Sequence, residues 1–573
     1  MKTDVEISTL NAWFNSAKES SRKKHWEWFV IDQMLRGNQD IRGNYQDNTV
    51  EIKRKSDKIS FPINKMYATF RAVRGFVTRH KPMVVVEAKN NSEEAKQYAR
   101  RANKILERDN QLNNYRKINK EWVYYGVKYG LGYRQVGYDP KNQVSIRWSV
   151  DPMDLWSGNK EDEIEDAPFI IKTVKRTMGY LKERYGKEAE GVSPDNELAA
   201  DEYKALGIRI NFEQESTNTG IRIDDQTVII KECWYRVYKP NKFGGFINKC
   251  VFVDNKILNH EETPFDEYPF ISYKSDIVPN EATGEGHLKH IVAPQRMLNM
   301  LNMQLLEYNH LVNNGRYLVD KGSGLSIIIN QMGQIIEKNQ GKNVTPLPPP
   351  PISPTLETQL RLANEFIEVI GGQSDASLGR VPTGITSGKG IEALQYGDSN
   401  NIADLRDNFE DALAMEAQWI LKMYSLFEKD GIMLTNRVKD EEEDTFMVLG
   451  SGAYKAMGKD VPAQQLTDNG DYCGTCAILT DNQVKVSVTS QLGETREARL
   501  DLLFKLLDAG IPLKVVLENL EFPNTNDILE RIASESLADI AMEQMKQPPQ
   551  QIPPIPQDQE LMGIKQQAQE LLG

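Results

Sequence analysis

Cysteine is scarce in this chain: there are four in 573 residues, at 233, 250, 473 and 476. So few cannot staple a fold of this size, which excludes a disulfide scaffold and suits a reducing compartment. Histidine numbers only six, and no Gly-x-Ser-x-Gly elbow occurs, so a nucleophile-and-base constellation has little to be assembled from. No run of 18 or more apolar residues is present to span a bilayer as a helix. Positive charge is not in excess either, since 70 Lys and Arg stand against 82 Asp and Glu for a net charge of -12. That balance argues against a histone-like protein or a polybasic membrane binder. The opening MKTDVEISTL carries Asp4 and Glu6 where a secretory signal needs an unbroken apolar core, so no address is expected there.

What is present is the composition of soluble globular protein, 39% hydrophobic and 27% charged, at a length that allows three or four domains. Charge is unevenly spread. Residues 51–120 hold 18 Lys/Arg and 7 Asp/Glu, whereas residues 494–573 hold 7 and 14, giving a basic early segment and an acidic end. The early cations, among them Arg71, Arg74, Arg79, Arg100, Arg101, Lys104 and Arg108, alternate with apolar residues. They read as solvated helix faces or as a surface for nucleic acid or a capsid.

The pattern predicts an α+β, helix-rich chain with helices segregated from antiparallel strands. Helices are expected at 12–35, 64–77, from Ser92 towards Asp109, and at 115–129, with a strand at 83–86. Residues 133–153 alternate as a hairpin about Asp139-Pro140, and 227–238 with 246–258 suggest a second pair. The polar stretch 188–218 reads as surface loop. After Pro294, Leu298, Leu301, Leu305, Tyr308 and Val312 recur at helical seam spacing, and after a compact insert Leu356, Leu360, Ala363, Ile367 and Ile370 do the same. Two such helices suit antiparallel packing, as a specialised element or as an ordinary helical hairpin in a core. A Gly-, Ser- and Thr-rich loop follows from 371 to 390, then a long helix over 391–428. Residues 431–490 return to mixed texture with a strand at 484–488, and three helices precede a Pro/Gln-rich stretch from 547.

Motifs that would carry catalysis nearly form and then fail. Thr383 to Gly390 resembles a phosphate loop, but Thr383 stands where the first Gly is needed and Gly390 where the metal-binding hydroxyl is needed. Gly130-x-Gly132 is followed by Gly137, one residue late for a dinucleotide fingerprint, and leads into a strand. Cys473-x-x-Cys476 lacks a second pair, so buried thiols are expected there rather than zinc. His287 and His290 could share a metal with Glu285, but no HExxH and no third His stands nearby. No enzyme activity, metal or cofactor is expected.

The order of elements resembles the portal protein of tailed bacteriophages, the head-to-tail connector ring, and particularly those of short-tailed phages. The landmarks are Trp122-Val123-Tyr124-Tyr125-Gly126 running into Gly130-Leu131-Gly132-Tyr133, Trp148 to Pro152, Gly286 to Asn314 with Gln295, Arg296 and Asn299, and Ile370 to Gly390 leading into the long helix. The resemblance implies a wing at 1–285, stem helices at 286–314 and 353–371, a clip at 315–352, a tunnel loop at 372–390 and a long wing helix at 391–428. A wing α/β return at 429–493, a helical crown at 494–546 and a tail at 547–573 would complete it. It further implies a homo-oligomeric ring, expected to be a dodecamer, at one capsid vertex of the virion after assembly in the host cytoplasm. Double-stranded DNA would pass its channel without sequence preference. Other expected partners are the terminase packaging motor, a tail adaptor and the major capsid or scaffolding protein, with no membrane. Ser374, Ser377, Arg380, Thr383, Thr386 and Lys389 are the expected loop contacts to DNA. Another virion ring or adaptor, or a packaging enzyme, are the competing readings.

Overall fold

The computed structural model describes residues 5–39, 41–44, 49–52, 62–79, 82–88, 93–158, 163–193, 209–211, 227–238, 246–253, 255–313, 316–323, 339–348, 351, 353–372, 402–428, 432–437, 443–449, 476–477 and 484–489. The chain divides into two compact units, Met1–Ser490 and Gln491–Gly573, and the described residues belong to the first. The expected crown and tail therefore lie outside the described residues, as do loop residues 373–390, residues 391–401 of the long helix, and Cys473.

The first unit is mixed helix and antiparallel sheet. Its early part runs α1 (Ile7–Leu35), β1 (Ile41–Asn44), β2 (Thr49–Ile52), α2 (Lys65–Arg79), β3 (Met83–Ala88), α3 (Glu93–Leu112) and α4 (Tyr115–Tyr129). Helix α4 passes directly into β4 (Leu131–Asp139), which turns back as β5 (Val144–Val150). Gly130 makes that passage possible. It ends α4 with φ of 84°, in the left-handed region, and a Cβ on it would fall 2.3 Å from the Gly286 nitrogen. Only glycine accommodates both.

Further on come β6 (Leu155–Ser157), β7 (Phe169–Thr177), α5 (Met178–Tyr185), β8 (Arg209–Asn211), β9 (Thr227–Val237), β10 (Phe246–Val253), β11 (Lys256–Glu262) and β12 (Phe270–Lys274). Two differences from the sequence pattern appear. The stretch expected to be one strand over 246–258 breaks into β10 and β11, which pair with each other. The polar stretch expected as loop contains β8, which pairs parallel to β2. A five-stranded sheet forms in the order β11-β10-β9-β7-β6, and β4 sits between β12 and β5 in a second sheet. Cys233 and Cys250 face each other across β9 and β10. Burial pushes both thiols up, that of Cys250 to about 12, so they behave as small apolar residues.

The remaining elements are α6 (Val292–Asn313), β13 (Arg316–Val319), β14 (Val344–Leu347), α7 (Pro354–Ile370), α8 (Ala403–Phe427), β15 (Ile432–Arg437), β16 (Glu443–Leu449), β17 (Cys476–Ala477) and β18 (Val484–Thr489). Strand β18 pairs antiparallel with β3, tying residues about 400 positions apart. Asn103 of α3 holds β3 from its backbone, its Oδ1 accepting from the Val86 N–H at 2.8 Å and its Nδ2 donating to the Val86 carbonyl at 2.9 Å. The main core runs from α1 and α2 through α4, β4 and β12 to α8.

Candidate functional site

Helices α6 and α7 form an antiparallel hairpin. At the body end His287 Nε2 meets the Gly371 carbonyl at 3.1 Å, and at the far end the chain leaving α6 pairs as β13 with the chain entering α7 as β14. Pro294 stands in the first turn of α6, where its missing N–H costs nothing. Helix α7 starts at Ser353, whose Oγ accepts from the Thr355 N–H at 3.3 Å, with Pro354 as first residue. The seam is graded. Leu298, Leu301, Ala363 and Ile367 are buried, Leu305, Tyr308, Leu356 and Leu360 are half-buried, and Val312 and Ile370 are exposed. The last two are less covered than the spacing implies. Val312 lies in the last turn of α6 and Ile370 in the last turn of α7, each at an end of the helix pair.

Amide side chains fasten the hairpin to the body. The fully buried Gln295 accepts the Met66 N–H at 3.0 Å through Oε1 and donates through Nε2 to the Ile63 carbonyl at 2.6 Å. Asn299 accepts the Ile63 N–H at 3.2 Å and donates to Gln39 Oε1 at 2.7 Å. Lys65 reaches Glu368 of α7 at 3.1 Å. Each buried amide bond contributes only about 1 kcal/mol, but leaving its partner unpaired costs ~1–3 kcal/mol. The clamp therefore fixes where the hairpin leaves the body. Thr69 lies against Gly371, where a Cβ would fall 2.9 Å from its methyl group, so the exit towards residues 373–390 starts from a fixed point. The six loop positions from Ser374 to Lys389 fall outside the described residues.

Between the helices, β13 and β14 extend beyond their ladder. The Asp320 N–H donates to the Asn343 carbonyl at 3.2 Å, the Asn343 N–H returns to Asp320 Oδ2 at 2.9 Å, and the Asn339 N–H reaches the Ser323 carbonyl at 2.9 Å. Pro346 sits inside β14 and Tyr317, Leu318 and Leu347 are exposed. The strand-prone residues 325–330 lie outside the described residues.

Helix α8 docks through buried charge, which sequence reasoning missed. In β5 Val150 is buried as the apolar alternation implies, but Ser145 and Arg147 are buried as well while Trp148 is exposed, against that alternation. Arg147 is paired with Asp109 of α3, which also accepts from the Ser145 N–H and Oγ at 2.8 and 2.7 Å and from Tyr424 of α8 at 2.8 Å. Glu416 of α8 lies 3.3 Å from Arg134 of β4 and 3.9 Å from Arg147. Burial lowers the Arg134 pKa to about 10, with Glu416 opposing it. Burial works against the charge of Arg147 as well, but Glu416 and Asp109 overcome it and leave its pKa raised. Burial, and then Glu416, pushes the neighbouring Tyr115 up to about 12. The available signal was two arginines in otherwise apolar strands and one Glu on the apolar side of a helix.

His287 and His290 go to separate tasks. His287 holds the Gly371 carbonyl, His290 is exposed, and the Glu285 carboxylate is engaged by Lys289 at 2.5 Å. Among the described residues no group of three His, Cys, Asp or Glu could hold a metal, and no helix is long and apolar enough to cross a membrane. No curated protein matches the chain. The family model of the phage P22-like portal protein matches residues 44–572. A mixed α and β body, a two-helix hairpin closed by a strand pair, and a match over nearly the full length lead to one conclusion: the chain belongs to the phage P22-like portal protein family.

Proposed function

We propose that this protein is a structural, non-enzymatic ring protein at one capsid vertex. It forms the channel through which double-stranded DNA is packaged and ejected, and the platform on which the packaging motor and then a tail adaptor dock. In this reading α6 and α7 are the stem, 315–352 the clip presented to motor and adaptor, 372–390 a loop at the channel, and the body the wing that meets capsid or scaffolding protein. Twelve copies are the expected stoichiometry. The observation that carries it is the stem hairpin, clamped to the body at one end and closed by β13 and β14 at the other, in a chain of this family.

A conduit must let phosphates pass, and every phosphate held by a cation adds salt-dependent affinity. The loop sequence from 372 to 390 has two cations, Arg380 and Lys389, and one acid, Asp375, among small residues, a composition for contact without grip. Replacing Arg380 and Lys389 together with Ala is expected to leave rings intact and to alter the amount of genome packaged or retained in a packaging assay. Unchanged packaging and retention would remove the DNA-facing role from this loop.

A further inference from the structure

Among the described residues, the side-chain bonds that hold the stem hairpin to the body lie on one side. At 100° per residue, Gln295 and Asn299 of α6 and Glu368 of α7 fall on one side of the antiparallel pair, and their bonds to Gln39, Ile63, Lys65 and Met66 dock that side on the body. The same spacing puts Met300 of α6 and Phe366 and Val369 of α7 together on the opposite side. There Met300 is 50%, Phe366 46% and Val369 72% exposed. Three large apolar side chains on one face of a rigid hairpin mark a contact surface.

A second patch lies back to back with the first. On α2, Lys65 and Thr69 face α7, while Tyr67 and Arg71 lie on the far side of the same helix, both exposed. The Arg71 guanidinium stands 5.9 Å from the centre of the Tyr67 ring. The two patches are complementary. Val369 has Glu365 one turn before it and Tyr67 has Arg71 one turn after it, and neither charge has an ion-pair partner among the described residues. The Lys65–Glu368 pair joins α2 to α7 within two residues of Tyr67 and one residue of Val369.

We propose that these patches are the two halves of one heterologous contact between copies of this chain: the Met300, Phe366 and Val369 face of one copy seats on Tyr67 and Arg71 of the next, with Glu365 meeting Arg71. Halves on opposite sides of a protomer propagate from copy to copy instead of closing a dimer. A ring closes when such halves stand at one level along its axis, and a filament results when they climb. This rests on the ring reading above and names the surfaces that make it.

The test uses the full-length chain carrying Tyr67→Cys and Val369→Cys, treated with a short thiol cross-linker and run on a denaturing gel, with each single variant and the unaltered chain as controls for the native cysteines. The double variant is expected to give a ladder of covalent oligomers that the controls lack. In parallel, Arg71→Glu is expected to lower ring yield by up to about fivefold, and adding Glu365→Arg to restore it. Rings seen in images of the double variant with no ladder above the controls, a ring yield that Arg71→Glu alone leaves unchanged, or a lowered yield that adding Glu365→Arg fails to restore would overturn this pairing while the ring reading stands. Failure of the unaltered chain to form rings would overturn both.

Discussion

At the residue scale, burial in this protein reaches polar groups as well as the more numerous apolar ones. Tyr133 and Tyr273 are fully buried, Tyr424 holds Asp109, and burial raises the pKa of each above the ordinary tyrosine value, as it does that of Tyr115. A group whose pKa is raised on folding contributes stability that is complete below its unfolded pKa and is lost as pH rises through the folded one. These tyrosines therefore predict alkaline unfolding that begins above about pH 10, where unfolded tyrosine ionises. Tyrosinate absorbance should show a fraction of the 22 tyrosines ionising late and steeply, together with loss of near-ultraviolet circular dichroism. Smooth titration of all of them near pH ~10 with the fold intact would contradict the burial described.

At the element scale, helix α8 is the clearest case of what the sequence conceals. Its 25 residues span about 37 Å, and of the apolar side expected from its period Ile402, Leu405, Phe409, Leu413, Trp419, Ile420 and Met423 are buried while Phe427 is half-buried. Ala412, Glu416, Ala417, Leu421 and Tyr424 are buried too, so the helix is enclosed on more than one face, and an amphipathic reading underestimates it. Glu416 is the reason this works, because its carboxylate meets Arg134 and Arg147 across the sheet. Replacing it with Ala leaves two buried guanidinium groups short of a partner and should cost ~3–5 kcal/mol. Denaturant unfolding would show this as a lowered midpoint, with Glu416→Gln falling in between, and an unchanged midpoint for Glu416→Ala would refute the lock. Elements with one strong period and clear punctuation were legible: Tyr115–Tyr129 between Asn114 and Gly130, and the two helices α6 and α7. Boundaries set by tertiary pairing were not. Residues 246–258 read as one strand because the apolar run on both sides outweighs the single turn signal, Asp254-Asn255, that separates β10 from β11. Gln295 and Asn299 stood out in sequence, but their partners at 39, 63 and 66 lie more than 200 residues away, where no local pattern reaches.

At the scale of the whole molecule, the chain is acidic, and among the described residues its first unit carries a hairpin that is fastened on one side and exposes apolar side chains on the other. Neither feature serves an isolated protomer. The apolar stem face is surface that a solitary chain would bury, and the net charge of -12 keeps a polyanion such as DNA from being held tightly. Both are consistent with the ring proposed above, through which a duplex passes. The most direct measurement is electron-microscopic imaging of the purified full-length protein. Closed rings, twelvefold in end-on class averages and with a central hole wide enough for duplex DNA, are the predicted result. Monomers, dimers or open filaments in place of closed rings would contradict it.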